Sequence, residues 1–245
     1  MTGGAALQSI WRYPVSSMGG ERLDAVAIGP AGLDGDRLWG LLDAAGEIAS
    51  PKRRRWRPTP HVLARVAGAP AVEVRLPGGD WRPGAAVAVD PAFAAHFGFP
   101  VRLVRHPGPD SDGVETVPPR YEVRAVHLVT TASLATLARR LPAPGSADRV
   151  RFRPNLVVDW PDRSRPFPES AWAPGLEVTV GAVRLRVVEP CRRCAFVTIA
   201  QPGVDQDPAV LDLLTRENGA NLGALLEVVE PGRVATGDPV RIAGD

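Results

Sequence analysis

Glycine and proline cut this chain into short pieces. There are 25 of the first and 26 of the second in 245 residues, and they bracket apolar runs too short for most helices. Within the pieces the apolar residues alternate, as at Val26 and Ile28, Val72 and Val74, or Val183, Leu185 and Val187. A period of two belongs to a strand with one buried face. Apolar residues recur throughout, so frequent turns explain the glycine and proline better than disorder does. The chain therefore reads as mostly β with a few helices, in barrels or sandwiches, not as a parallel sheet with helices between strands.

Strands are expected over 7–15, 24–29, 36–43, 47–50, 61–66, 71–76, 101–105, 125–129, 149–159, 183–188, 195–200, 221–229 and 240–242, with helices over 91–97, 130–140 and 207–218. The 130–140 stretch opens on a hydroxyl cap and ends on Arg139 and Arg140, which suits a helix dipole. Residues 107–119 are rich in Gly, Pro and Asp and read as a linker or mobile loop. His127, mid-strand, reads as a core histidine satisfied by one neighbour. Arg149, Arg151 and Arg153 alternate and would line one strand face, either a solvated edge or an anion-binding face.

Composition narrows the functions. A hydrophobic share of 44% supplies a core, and a net charge of +2 is too balanced to imply a nucleic-acid binder by itself. Lys52 to Arg57 is the densest basic run and holds Trp56. It could stack bases, contact a phosphate, or be a solvated loop, the preferred reading for one run in a balanced chain. No apolar run approaches the roughly 20 residues of a membrane helix. Met1 to Ala6 lacks a basic n-region, and Gln8 and Ser9 cut off any apolar run after Leu7. With two cysteines and no export signal, the cytoplasm is the expected compartment.

Those cysteines, Cys191 and Cys194, come after the strand pattern of 183–188, with Pro190 expected to stop the ladder and Arg192 and Arg193 between them. A disulfide, a redox pair, zinc ligands, two buried hydrophobes and a functional thiolate all compete for this spacing. Nothing else in the chain looks secreted, no helix comes next, and no second Cys or His pair stands at zinc spacing. The bland buried pair and the thiolate, which positive charge would favour, stay open. No phosphate-binding glycine loop, dinucleotide fingerprint, His-Glu-x-x-His or Gly-x-Ser-x-Gly elbow is present.

Four motifs then carry a resemblance: Ile10-Trp11-Arg12-Tyr13-Pro14-Val15-Ser16-Ser17, Gly32-Leu33-Asp34-Gly35-Asp36-Arg37-Leu38-Trp39, Arg151-Phe152-Arg153-Pro154-Asn155 and Glu189-Pro190-Cys191-Arg192-Arg193-Cys194. Asn221-Leu222-Gly223 and Gly237-Asp238-Pro239-Val240 also fit. In this order they resemble the MOSC family, in particular the branch with an N-terminal β-barrel that includes the amidoxime-reducing components. The resemblance implies a MOSC-associated β-barrel domain over 1–118 and a MOSC-type β-barrel domain over 119–245. It implies molybdenum cofactor (molybdopterin), with Cys194 as catalytic metal ligand and Cys191 as a neighbouring thiol. It places Ser17, Arg37, Thr130, Ser133, Arg153 and Asn155 around the pterin and its phosphate. Relatives usually carry a lysine where this chain has Ser16; either the Lys52 to Arg57 run, with Lys52 at its head, supplies the missing charge, or the cofactor is bound weakly or in a different form. The implied reaction reduces N-hydroxylated small molecules with electrons from a separate reductase, since no cysteines are spare for a cluster; no nucleic acid or membrane partner is implied. A sulfur or cofactor carrier using a cysteine persulfide is the alternative.

Overall fold

The structure is a computed structural model that describes residues 4–68, 71–108, 112–119 and 125–243. Of the 107–119 stretch, residues 109–111 lie outside the described set, as do 120–124, beside the expected domain boundary. The chain divides into two units that alternate along the sequence: residues 1–11, 22–34 and 124–245 form the first, and 12–21 and 35–123 the second. It is mostly β with a few helices, as its alternating patterns dictate. In the first unit Ala6 bridges Pro239, and the Val240 N–H donates to the Ala5 carbonyl at 2.8 Å, which joins the first strand of the chain to the start of the last. No helix among them is long and apolar enough to cross a membrane.

The first unit is built on an eight-stranded sheet. Its strands run in the order Val240–Ile242, Glu177–Val180, Val183–Arg192, Asn221–Glu230, Val126–Thr130, Leu156–Asp159, Ala6–Arg12 and Glu21–Leu23. Val126–Thr130 is buried at every position, which suits a central strand flanked on both sides, parallel to Leu156–Asp159 and antiparallel to Asn221–Glu230. The inward faces meet in a core of Ile10, Val126, Leu128, Leu156, Leu185 and Leu226. Helix Thr131–Arg140 begins where the central strand ends, with the Thr130 side chain accepting from the Ser133 N–H at 3.2 Å. It shares a second core with helix Ala209–Asn218 through Leu137, Val210 and Leu214.

The second unit pairs Trp39–Asp43 with Val101–Arg105 and stacks Leu63–Val66, Val72–Arg75 and Arg82–Pro83 in a small sheet. Its core closes on Trp56, which is fully buried against Phe97 and Phe99. Two arginines of the basic run around it have structural partners: Arg53 and Arg55 pair with Glu47 and Asp43, and Arg55 lies 4.0 Å over the Phe99 ring. The Trp56 ring therefore offers no face to a nucleic-acid base.

Several expected strands are shorter than their patterns. The 36–43 run is a strand only over Trp39–Asp43, because Asp36 accepts the Tyr13 N–H at 2.7 Å and Arg37 takes a left-handed backbone. Residues 47–50 keep a single bridge, between Ile48 and Leu42. Over 149–159 the strand is confined to Leu156–Asp159. Arg149–Arg151 is instead a 3-10 turn capped by Asp148, so the three arginines do not share a strand face.

Candidate functional site around Cys191 and Cys194

The strand Val183–Arg192 does not stop at Pro190. Pro190 pairs with Ala224, with register shifts on either side of it; such bulges admit a residue that has no N–H into an interior strand. Cys191 therefore lies within the sheet, on the inward face begun by Val183, Leu185 and Val187, and is buried. Cys194 lies just past the strand, is exposed, and starts a 3-10 turn over Ala195–Thr198 where a strand was expected. Both thiols are free. Two cysteines three positions apart thus receive opposite environments.

The positive charge beside them goes to the buried one. Arg193 donates from Nη1 to Cys191 Sγ at 2.8 Å and from Nη2 to the Phe152 carbonyl at 2.8 Å. The Arg193 backbone N–H donates to the Ala220 carbonyl at 2.7 Å. Burial raises the Cys191 pKa, but the Arg193 guanidinium and the hydrogen-bonded His127 ring outweigh it and bring the thiol from 9.0 down to about 6. Because the folded pKa is depressed, this contribution is complete above the unfolded value and is lost as pH falls through about 6. Between those limits stability is expected to rise by about 1.4 kcal/mol per pH unit. Thiolate absorbance and urea unfolding across pH, in a Cys194→Ser background, measure both; a midpoint near 9 and a flat stability profile would contradict the arrangement.

His127 is a buried histidine, as expected, and it is also one of the groups that act on the Cys191 sulfur. Its ring nitrogens lie 3.4 Å from the Arg153 carbonyl and 3.3 Å from the Leu222 carbonyl. Asn155 fixes the strand beneath it: fully buried, its Oδ1 accepts the His127 N–H at 3.1 Å and its amide donates to the Trp11 carbonyl at 3.3 Å. Gly223 supplies the clearance, because a Cβ there would sit 2.4 Å from His127 Nε2. Thr130 and Ser133 are buried, and both hydroxyls donate at 2.7 Å to Oε2 of Glu169, a carboxyl raised by its complete burial. Arg153 has φ 54° and its guanidinium lies 5.8 Å from the centre of the Phe196 ring, two residues beyond Cys194.

Ser17, Arg37 and Lys52 belong to the second unit. Arg37 pairs with Asp36 and lies over the Tyr13 ring, and Lys52 is exposed. Five non-glycine residues among those described have left-handed backbones, and Ser17, Arg37 and Arg153 are three of them. Each costs roughly 1–3 kcal/mol, a strain that clusters at ligand sites.

Sequence reasoning missed Arg151 and Glu169. Arg151 is fully buried and donates to the carbonyls of Ser146, Val197, Ile199 and Asp205. It thereby fastens the loop just after Cys194. Its only sequence signal is its place in the Arg151–Asn155 motif.

The family model described as the MOSC domain matches residues 102–241, more than half of the chain. The chain belongs to the MOSC family. The model of the MOSC N-terminal beta barrel domain matches residues 4–79 of the same chain. Human molybdenum cofactor sulfurase is 28% identical over 111 residues, which cover 40% of this MOSC chain but only 12% of the sulfurase. The fold is shared with the YuaD protein of Bacillus subtilis, with a TM-score of 0.53 at 14% identity, over 98% of this chain and 96% of that one. YiiM from Escherichia coli aligns with 99% of this chain and 69% of its own at a TM-score of 0.44 and 15% identity.

Proposed function

We propose that this MOSC protein binds molybdenum cofactor and reduces N-hydroxylated small molecules, with electrons from a separate reductase. The observation that carries the reading is the split between the two thiols. Cys191 absorbs the charge of Arg193, and Cys194 is left free and exposed at the mouth of the loop that Arg151 fastens.

The donor set fits the group. No cluster of three His, Cys, Asp or Glu side chains able to hold a bare ion lies among the described residues. A metal that arrives in a cofactor with its own sulfur ligands needs one soft thiolate from the protein, and Cys194 offers it. Arg153, at its strained φ beside Phe196, provides a guanidinium fork for an anionic part of the ligand. Bound there, the cofactor would supply two-electron oxygen-atom chemistry. The protein's own part is to hold Cys194 exposed on a fixed turn, engage Arg193 with Cys191, and present Arg153.

Elemental analysis tests this. Wild type expressed in a host that makes the cofactor is expected to carry molybdenum near one equivalent and to turn over amidoximes with an added reductase. Cys194→Ser is expected to lose both, whereas Cys191→Ser keeps most of its metal. Metal-free wild type, or equal loss from both substitutions, counts against the reading. The similarity to a molybdenum cofactor sulfurase favours a second reading, a sulfur or cofactor carrier. Sulfane sulfur on the protein without turnover would select it.

A further inference from the structure

Ser16, where the resemblance leads one to expect a lysine, has a partner of its own. Its hydroxyl lies 3.1 Å from His106 Nε2, and His106 Nδ1 lies 2.7 Å from the Val117 carbonyl oxygen. A carbonyl only accepts, so the Nδ1 proton is placed there and the Nε2 lone pair faces the serine. We propose that Ser16 and His106 form a nucleophile–base pair in the second unit, a site of acyl transfer that accepts the acyl group of small carboxylic esters. Neither the MOSC assignment nor the chemistry at Cys194 requires it.

The pair is held from several directions. The Ser16 N–H donates to the Trp39 carbonyl, and the His106 N–H to the Leu38 carbonyl, both at 2.8 Å. Gly40 lies against the imidazole so closely that a Cβ there would stand 3.0 Å from His106 Cε1. His106 is buried and Ser16 half-buried, so the base is dry while its nucleophile is reachable. Burial also lowers the His106 pKa, partly offset by its bond to Val117, which favours the neutral base. The turn after Ser16 closes through Met18 N–H to the Val15 carbonyl at 3.3 Å, with Ser17 at φ 69°. The Ser17 N–H, the first backbone donor after the nucleophile, is taken by no acceptor among the described residues. It is the donor available to an oxyanion.

In the step, Ser16 Oγ bonds to the ester carbonyl carbon as its proton passes to His106 Nε2. The ester C–O bond then breaks, and the alkoxide leaves with that proton. Water, deprotonated by the same nitrogen, cleaves the acyl-serine and restores the pair; nothing is oxidised or reduced.

An alkyl fluorophosphonate probe on the full chain, read by mass spectrometry, tests the pair, and p-nitrophenyl acetate tests the acyl step. The expected result is one adduct, on Ser16, absent in Ser16→Ala and formed at least about 100-fold more slowly in His106→Gln. Acetyl-Ser16 should accumulate with the ester. If His106→Gln fails to fold, Ser16→Cys replaces it: its thiol should react with iodoacetamide faster than the exposed Cys194. No adduct on Ser16, equal labelling of Ser17, a rate unchanged in a folded His106→Gln, or a thiol at position 16 slower than Cys194 would overturn the proposal.

Discussion

Arg151→Ala is expected to remove about 3–5 kcal/mol of stability and to lower the melting temperature by about 10 °C. The guanidinium serves four carbonyls, those of Ser146, Val197, Ile199 and Asp205, and no solvent reaches it. Burial lowers its pKa, while Asp207, Asp148 and Asp205 raise it again, so the charge is compensated by neighbours that would be left without it. Removing one side chain therefore strands several acceptors at once. Arg151→Lys is expected to recover less than half of the loss, because an ammonium cannot spread its donors across that fork. Urea unfolding of the three proteins measures the series. The second readout tests the proposed cofactor binding: the carbonyls of Val197 and Ile199 belong to the turn and loop just after Cys194, so on that proposal molybdenum loading should fall although Cys194 is untouched. A loss under 1 kcal/mol in Arg151→Ala would show that water or a neighbour replaces the guanidinium.

Gly223→Ala is expected to cost about 2–5 kcal/mol, from a left-handed backbone and from crowding. The residue has φ 86°, and a Cβ would lie 2.4 Å from His127 Nε2 and 2.6 Å from the Leu128 carbonyl oxygen. The backbone oxygen of the central strand cannot yield, so the imidazole must move. His127 is one of the groups that lower the Cys191 pKa. The same substitution should therefore raise the Cys191 midpoint from about 6 toward the ordinary thiol value. Gly219→Ala is the control, since Gly219 is also left-handed but a Cβ there meets only Asn221 Nδ2, at 3.4 Å. It should cost about 1 kcal/mol and leave the thiol midpoint unchanged. Equal thiol shifts in the two variants would sever the link between Gly223, His127 and Cys191.

Both predictions concern residues that stand in motifs of the sequence but whose contacts are invisible along the linear chain. Arg151 stands among three alternating arginines, and alternation predicts a strand. The backbone instead turns under an Asp148 cap, and a turn can point one arginine inward while its neighbours face out. His127 reads only as a core histidine, because the residue that gives it meaning lies 64 positions away in the sequence. Glu169 has no local signal: it is a carboxyl in an ordinary turn, and only the end of the central strand brings Thr130 and Ser133 to it.

What the sequence by itself determined is the β-rich class, the helices over 91–97, 131–140 and 209–218 within a residue or two, and the family. These rest on local causes: period-two burial, capping hydroxyls, and motifs whose residues must stand at fixed spacing. What only the tertiary structure decided is which cysteine is buried and which is exposed. The spacing and the arginines between them treat Cys191 and Cys194 alike. A bulged strand carries the ladder past Pro190, turning Cys191 inward toward Arg193 and His127 and leaving Cys194 on the first exposed turn. Charge acts through space, and the distance from a guanidinium to a sulfur is set by the strand's register, not by the number of residues between them.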